Sequence, residues 1–576
     1  MKFSNSQLLL LHAAVAAADT SYNGSWPPLV YLQSGPITGV AVNLPGALGP
    51  VNKFLGIPYA DKPIRFALPR PSIKWSAPKD TTSFGNPCYQ LAVRDPIGYP
   101  NPRGYANRVA TNQASADLSS GQQLYDYLSG SRSDMSEDCL FINAFAPATT
   151  VPVGGRPILF FIHGGGWTVG SGNADLSGFA AYEDIVVFTF NYRLNIFGFP
   201  NGHDIPLQGR NLGLYDQHIA LQWVRDNAHA FGGNPSKITI WGFSAGSTSV
   251  DLFMHVYAHA VEPPFRGAIM TSGEFSFGRI GSFIRDANDT AEWDSVAKAA
   301  NCSGSTVECL RKLSADNLLK LVIEQGNLDF LPVADNRSVP LARASAWRRG
   351  NVVKVPILGG TSAEEGRSLV SLDVSIDEFN DAYFPETLVN KTQLESIYTY
   401  YKTLPDTDSN FEVASKIYND LFLQCVSKSI LLPMMRLTSA ASNYMPTWRY
   451  YNNISMTEFL KPGDRYIGKY HGSDIMSLFL STTYDGVTPD GTPFPAVKSA
   501  YLKYWRGVLG RFVRNPKAGP GWPEVGSSQY APLYLATLGD VGNTHSAGST
   551  PVNQREVDVN CDALREVLDV IETMTG

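Results

Sequence analysis

The feature that most constrains this chain is the segment Gly242–Gly246, with the sequence GFSAG, which directly follows the apolar run Ile238–Trp241. The chain continues as Ser247–Met254, so this stretch predicts a strand, a sharp turn and a helix. Such a turn is strained, and small residues beside Ser244 avoid clashes with the neighbouring strand and helix. We expect the Ser244 hydroxyl to stand above the sheet edge, at the positive end of the helix.

Strand-like apolar runs alternate with helical patterns along the chain. The predicted strands include Ile158–Ile162, Ile185–Phe190, Ile238–Trp241 and Val355–Leu358. Between the second and third of these, Gly213–Val224 carries apolar residues at helical spacing. This alternation predicts an α/β fold with a large, mostly parallel sheet covered on both faces, with functional residues at the carboxyl ends of its strands. Residues 287–335 and 373–437 are predicted to be helical insertions over the sheet.

The amino terminus has the form of a secretory signal over residues 1–18. Met1-Lys2 gives a basic start, Leu8–Leu11 an apolar core, and Ala16–Ala18 a cleavage site before Asp19. The apolar stretch is too short to span a bilayer, and no later run is long enough to be a stable membrane anchor. We therefore expect an exported protein whose residues 19–576 form a single domain.

Charge and modification signals agree with export. The 576 residues carry a net charge of −6 and no basic cluster, so no nucleic-acid partner is expected. Six cysteines fit an oxidising compartment but allow fifteen pairings, although Cys302 and Cys309 are near enough to close a small loop. The six N-glycosylation sequons lie at Asn23, Asn288, Asn301, Asn336, Asn390 and Asn453.

Acyl transfer through a serine needs a base, a group that orients the base, and donors for the oxyanion. In α/β-hydrolases the chain order is serine, acid, histidine. Among the nine histidines, His471 and His545 follow the plausible acids, and His471 is favoured because it opens a loop that enters an apolar helix. Glu364 and Glu365 both follow a predicted strand, and the residue pattern alone does not choose between them.

Donors for the oxyanion are expected from the glycines that follow the strand Ile158–Ile162. In His163–Trp167, with the sequence HGGGW, consecutive glycines let backbone N–H groups converge on one point. His163 is interpreted as a structural partner of this loop, because it precedes the serine. This chemistry uses no metal and no cofactor, and we expect neither.

Together these motifs resemble the type-B carboxylesterase/lipase family, which includes the cholinesterases and secreted fungal lipases, and most of all its secreted fungal branch. The resemblance runs from about Pro36 to the C-terminal region. Besides the glycine run and the serine turn, the motifs that carry it are Phe54–Ala60, Ser136–Leu140, Asn191–Leu194, Asn211–Gln217 and Phe231–Pro235. The resemblance implies an α/β-hydrolase fold with helical insertions and the activity of a serine carboxylic ester hydrolase.

The resemblance also assigns individual residues. It implies Ser244 as nucleophile, His471 as base and Glu365, rather than Glu364, as the acid. It places the oxyanion hole on the backbone N–H groups of Gly165, Gly166 and Ala245. It further implies the disulfides Cys88–Cys139 and Cys302–Cys309, which leaves Cys425 and Cys561 as the third pair.

Two departures from the family narrow the expected substrate. The family commonly has Glu before the serine, where this chain has Phe243, and the segment between Cys88 and Cys139 lacks the tryptophan with which cholinesterases bind choline. Both changes argue against a cationic choline ester. The same segment lacks the strong apolar face of an interfacial lipase lid, so an esterase acting on a small-molecule or lipid-like ester is preferred to a true lipase.

Two other functions stay open at this stage. One is an acyltransferase or lactone-forming enzyme, in which an alcohol replaces water at the acyl-enzyme. The other, less favoured because all three triad residues are present, is a non-catalytic adhesion protein of the same fold. The sequence leaves the natural ester and the oligomeric state open.

Overall fold

The computed structural model describes residues 27–90, 135–273, 286–326, 328–384, 389–426, 445–459, 462–483, 495–525, 534–539 and 548–574. The predicted signal segment, Asn23 and His545 lie outside these ranges, as does most of the segment between Cys88 and Cys139. The predictions made for them stay predictions.

Two sheets occur in the described ranges. The smaller has the order β1-β2-β5, and the larger has eleven strands in the order β14-β13-β12-β11-β10-β9-β7-β8-β6-β4-β3. The strands are β1 (Leu29–Tyr31), β2 (Pro36–Thr38), β3 (Val40–Val42), β4 (Val51–Pro58), β5 (Lys79–Asp80), β6 (Phe141–Pro147), β7 (Arg156–Ile162), β8 (Val186–Phe190), β9 (Gly233–Phe243), β10 (Gly267–Thr271), β11 (Ile357–Ser362), β12 (Thr447–Asn452), β13 (Tyr534–Leu538) and β14 (Ser549–Asn553).

The centre of the large sheet is parallel and its edges are antiparallel. From β8 through β7, β9, β10, β11 and β12 to β13 every neighbouring pair is parallel. The outer pairs β3–β4, β4–β6, β6–β8 and β13–β14 run antiparallel. The four strands predicted from apolar runs correspond to β7, β8, β9 and β11, so the predicted α/β class with a mostly parallel sheet is confirmed.

Helices cover the sheet. The α-helices span Ser177–Glu183, Asn195–Gly198, Leu212–Asn227, Ala245–Val256, Ala291–Ala299, Thr306–Arg311, Ala315–Glu324, Arg343–Arg348, Ile376–Tyr383, Lys391–Tyr401, Asn410–Asn419, Ser473–Thr483, Ala496–Arg514, Gln554–Val557 and Arg565–Met574. The predicted helical insertions therefore contain helices where the structure describes them. None of the described helices is long and apolar enough to cross a membrane.

The continuous apolar sequence of the central strands follows from burial on both faces. In β7, Ile158, Phe160 and Ile162 join one hydrophobic cluster, while Leu159 and Phe161 join the cluster on the opposite side. Successive side chains of a strand point to opposite faces, so a strand that is buried on both faces has a nearly continuous run of apolar residues. The functional edge of the sheet thus rests on a rigid, two-sided core.

A buried ion pair and a buried hydrogen bond join the sequence motifs to one another and hold the loops around this core. The guanidinium of Arg193 donates to both carboxylate oxygens of Asp216, at 2.7 and 2.8 Å, and both side chains are almost fully buried. Tyr59 donates its hydroxyl to the carbonyl oxygen of Asn191 at 2.6 Å. The two parallel hydrogen bonds of this buried pair fix the orientation of the segments that carry Arg193 and Asp216. Removing either partner would leave the other as an uncompensated buried charge.

The three disulfides of the structure are the pairs that the sequence analysis names. Cys88–Cys139 closes a separation of 51 residues, Cys302–Cys309 one of 7 residues, and Cys425–Cys561 one of 136 residues. The last bridge ties the chain just before the C-terminal helix to the body of the protein, where Leu564, directly before the helix, and the helix residues Val567 and Leu568 are buried.

We expect removal of the long bridge to cost more stability than removal of the short one. In the chain-entropy model a loop of this length contributes about 5 kcal/mol, and the seven-residue loop about 2.5 kcal/mol. The comparison is between the double variants Cys425→Ala/Cys561→Ala and Cys302→Ala/Cys309→Ala, measured by thermal unfolding. An equal fall in Tm for the two variants would contradict the prediction.

Candidate active site

Ser244 occupies a strained turn between β9 and the helix Ala245–Val256. Its backbone has φ 54° and ψ −124°, a conformation that costs a non-glycine residue of order 1–3 kcal/mol. The Ser244 N–H donates to the carbonyl oxygen of Thr271 on β10 at 2.9 Å, which holds the turn to the neighbouring strand. A side chain at Gly246 would place its Cβ 2.1 Å from the carbonyl oxygen of Ile162, so the turn tolerates only glycine there.

The glycine loop after β7 passes directly against this turn. A Cβ at Gly164 would lie 2.9 Å from the Cβ of Ser244, which shows how closely the two backbones approach. Gly165 and Gly166 have φ of 104° and 60°, the left-handed region that favours glycine. The indole of Trp167 donates to the hydroxyl of Ser249 in the following helix, at 3.3 Å, and so ties the loop to the serine helix.

His163 belongs to the framework of this loop. Its Nδ1 lies 2.8 Å from the carbonyl oxygen of Gly164, and its ring stacks on Tyr192 with 4.2 Å between ring centroids. Burial lowers the pKa of His163 to about 4, so the ring is neutral at physiological pH and its Nδ1–H donates to that carbonyl. This geometry agrees with a structural rather than a catalytic role for His163.

Glu365 is fully buried three residues after the end of β11, and its carboxylate has three donors. Oε1 accepts from the Ser272 hydroxyl and from the backbone N–H of Ser362, both at 2.6 Å. Oε2 is hydrogen-bonded to Nδ1 of His471, whose side chain is 9 % exposed. His471 is held in addition through its backbone N–H, which donates to the Ser368 hydroxyl at 3.2 Å.

The neighbouring carboxylate, Glu364, is bonded to the backbone of the turn before His471 instead of to the imidazole. Its Oε2 accepts from the backbone N–H of Lys469 at 2.7 Å, and its own N–H donates to the carbonyl oxygen of Lys469 at 3.1 Å. These reciprocal bonds pin the turn that leads into His471. Glu365, and not Glu364, is therefore the glutamate whose carboxylate is bonded to His471, a choice that the residue pattern alone left open.

A second buried acid, Asp474, lies three residues after His471. Tyr450 on β12 donates its hydroxyl to Asp474 Oδ2 at 3.0 Å, and Oδ1 has no hydrogen-bond partner among the described residues. Burial, together with the charge of Glu365, raises the pKa of Asp474 from 3.8 to about 7. Near neutral pH this carboxyl is therefore close to half protonated.

The structure joins Glu365 to His471 by a hydrogen bond and places the ring of Phe243, the residue before Ser244, against the His471 ring, and it adds three further residues to this region. Ser272, Ser362 and Asp474 were not singled out from the sequence. Ser272 had a signal, because it directly follows the apolar run of β10, at the carboxyl end of a parallel strand. Within the described ranges no group of three or more His, Cys, Asp or Glu side chains is placed to hold a metal ion.

The raised pKa of Asp474 predicts a pH-dependent effect of Asp474→Asn. The unfolded carboxyl ionises near pH 4 and the folded one near pH 7, so between these values the folded state holds a proton that the unfolded state has lost. Stability from this group therefore falls as pH rises through that window, by up to roughly 4 kcal/mol. Asparagine does not titrate, so the Tm of the variant relative to wild type is expected to rise between pH 5 and pH 8.

The control for this measurement is Asp138→Asn, at an exposed acid far along the chain from His471. Its Tm relative to wild type is expected to stay constant over the same pH range. A constant difference for Asp474→Asn as well would show that the carboxyl at 474 ionises alike in the folded and unfolded chain.

Comparison with known proteins assigns the family. A model of the carboxylesterase family matches residues 27–541. Carboxylesterase 1D of Mus musculus is 30% identical over 561 residues, covering 89% of this chain and 91% of the relative. Liver carboxylesterase 1 of Oryctolagus cuniculus is 28% identical, with 89% and 90% covered.

Among solved structures, a PNB esterase superposes with a TM-score of 0.67 at 24% identity, covering 94% of this chain and 100% of that chain, which shows the α/β-hydrolase fold. The family match spans most of the described residues, including the serine turn, the glycine loop and the buried Glu365–His471 pair. The chain belongs to the carboxylesterase family and is a serine ester hydrolase.

Proposed function

We propose that the protein is a secreted carboxylic ester hydrolase that works through an acyl-enzyme. The observation that carries this proposal is the hydrogen bond between buried Glu365 and Nδ1 of His471, at the same sheet edge as the strained Ser244 turn. In the proposed triad, Ser244 is the nucleophile, His471 the general base and Glu365 the group that orients it. The proposed oxyanion donors are the backbone N–H groups of Gly165, Gly166 and Ala245.

In the proposed acylation step, the Ser244 hydroxyl oxygen attacks the ester carbonyl carbon while Nε2 of His471 takes the hydroxyl proton. The carbonyl oxygen becomes an oxyanion and accepts from the backbone donors. The bond to the alcohol oxygen then breaks, and His471 returns the proton to the leaving alcohol. In the second half, water attacks the acyl carbon and gives a proton to His471. The bond between the acyl carbon and Ser244 Oγ then breaks, and His471 returns the proton to Oγ, which releases the acid and regenerates Ser244.

The surroundings of Glu365 support its proposed role. Donors from Ser272 and Ser362 occupy Oε1, which leaves Oε2 for the imidazole. A buried carboxylate with three donors keeps a fixed direction and favours the tautomer with hydrogen on Nδ1. Nε2 is then free of hydrogen and ready to accept the serine proton. The same carboxylate stabilises the imidazolium that forms during each half-reaction.

The substrate we propose is a neutral ester. Phe243 stands where a carboxylate beside the histidine is common in this family, and the residue is 7 % exposed. Without that carboxylate the site loses one attraction for a cationic alcohol group. A small-molecule or lipid-like carboxylic ester of low charge therefore fits the described part of the site.

Export is part of the proposal. A signal segment over residues 1–18 would be followed by one hydrolase domain over residues 19–576. Three disulfides support an oxidising compartment. The five sequon asparagines within the described ranges are all exposed, at Asn288, Asn301, Asn336, Asn390 and Asn453.

The first test is Ser244→Ala, measured on p-nitrophenyl esters from acetate to palmitate. Triad serines account for about 10⁶ in kcat, so the variant is expected to keep far less than a percent of the wild-type rate with an unchanged Tm. An organophosphonate is expected to add mass to the wild-type peptide that contains Ser244 and not to the variant. A variant with more than about a percent of wild-type activity would exclude Ser244 as the nucleophile.

The second test compares Glu365→Gln with Glu364→Gln. An amide at 365 no longer stabilises the imidazolium and permits the wrong tautomer, so kcat is expected to fall by about 10³–10⁴. At 364 an amide oxygen still accepts from the Lys469 N–H, so kcat is expected to stay within about tenfold of wild type. The reverse ranking would assign the orienting role to Glu364.

A further inference from the structure

The ring of Phe243 lies against the imidazole of His471. The two ring centroids are 4.8 Å apart and the planes are inclined by 36°, within the range of favourable aromatic contacts. Phe243 is the last residue of β9 and directly precedes Ser244, so its backbone is fixed by the sheet and by the strained turn. The contact therefore joins the nucleophile's strand to the base.

The Phe243 ring has little room to move. A Cβ at Gly472 would lie 2.5 Å from its Cζ, and a Cβ at Gly164 would lie 3.0 Å from its Cδ1. Gly472 directly follows His471 and has φ 82°, while Gly164 belongs to the glycine loop. The ring is thus held between the turn that carries the base and the loop that carries the proposed oxyanion donors.

The hydrogen bond to Glu365 leaves one freedom of the imidazole unrestrained. A single bond at Nδ1 fixes the direction of the ring edge, but the ring can still turn about the Nδ1–Oε2 line. Packing against an aromatic face restricts that rotation, and with it the position of Nε2 at the opposite edge. Of the contacts described for His471, the Phe243 ring is the aromatic one, with its plane inclined by 36° to the imidazole.

We propose that Phe243 is a positioning residue that fixes the plane of the catalytic histidine and stabilises its protonated form in the transition state. The proposal rests on the proposed role of His471 as the base. The face of an aromatic ring attracts a cation, and the proposed mechanism forms an imidazolium in each transition state. An interaction made only in the transition state raises kcat and leaves KM nearly unchanged.

Charged and titratable groups surround His471 on its own segment, where buried Tyr470 directly precedes it, and on the segments packed against it. Glu365 binds its Nδ1, and Asp474 lies on the helix that follows it, with Tyr450 bonded to Asp474 from β12. Glu364 and Lys469 hold the preceding turn. Phe243 lies against the imidazole as an uncharged ring, so a carboxylate introduced at 243 would be a new charge at this position.

The test begins with Phe243→Leu, which removes the ring and keeps an apolar side chain. We expect kcat to fall about two- to tenfold, with KM changed less than twofold, because an aromatic contact of this kind is worth that factor. The matched control is Phe479→Leu, a buried phenylalanine of the same hydrophobic cluster that packs on Phe161 and Trp241. This control is expected to lower Tm and to leave kcat within twofold.

Two polar variants distinguish the effect of losing the ring from the effect of adding a negative charge. Phe243→Gln and Phe243→Glu both remove the ring, and only the second adds a carboxylate. We expect the Gln variant to match the Leu variant in kcat. In the Glu variant the carboxylate favours the protonated histidine, so the acidic limb of kcat/KM against pH is expected to move upward by about one pH unit or more.

The number of competent sites in each variant is counted by organophosphonate titration, so that kcat refers to folded enzyme only. An unchanged kcat per site in Phe243→Leu, or a loss equal to that of Phe479→Leu, would overturn the positioning role. A larger change in KM than in kcat would overturn it too, because the ring would then act on bound substrate. Activity surviving in His471→Ala would instead refute the proposed base, independently of Phe243.

Discussion

The strained backbone of Ser244 is the constraint on which the site depends. A residue with φ 54° and ψ −124° persists only if its surroundings permit no alternative. Here β9 holds it on one side, the helix Ala245–Val256 on the other, and Thr271 accepts its N–H. The backbones of the glycine loop press against the turn, so the strain of one residue is balanced by the packing of a sheet buried on both faces.

The acid side of the site is organised by hydrogen bonds rather than by packing. Glu365 receives two donors that have no part in the proposed proton transfers, from Ser272 and Ser362, and these fix the carboxylate before any substrate arrives. Asp474, equally buried, accepts one side-chain hydrogen bond, from Tyr450, and burial together with the charge of Glu365 raises its pKa. Two carboxyls in one buried region therefore differ in the number of hydrogen bonds they accept.

The sequence predicted the parts of the fold whose signals are local. The strands β7, β8, β9 and β11 were found because burial on both faces leaves a continuous apolar run. The antiparallel strands β3 and β14 are short, and their residues are mostly half-buried or exposed, whereas β4 has eight residues of which only half are buried, so no continuous apolar run marks any of the three. The strand β12 was missed for another reason, since Thr447–Asn452 mixes aromatic, charged and polar residues that are buried only through tertiary partners.

The candidate site was likewise predictable where its residues belong to contiguous motifs, and not where they meet only in the folded protein. The serine turn and the glycine loop are contiguous motifs, and chain order selected His471. The residue pattern stopped at two adjacent glutamates, because which carboxylate meets the imidazole depends on the direction of each side chain after β11. Ser272 and Asp474 were not predicted, because each depends on a contact with a residue distant in sequence. Ser272 bonds to Glu365, 93 positions away, and Asp474 to Tyr450, 24 positions away. Neither belongs to a contiguous motif.

The disulfides have a consequence for the life of the folded protein after its backbone is cut. Cys88–Cys139 and Cys425–Cys561 each enclose a long stretch of chain, and the second stretch contains His471. A single proteolytic cut within either stretch leaves two fragments that are still covalently joined, with His471 attached to the same molecule as Ser244. Loss of a fragment from these regions requires at least two cuts, or one cut together with reduction of a bridge.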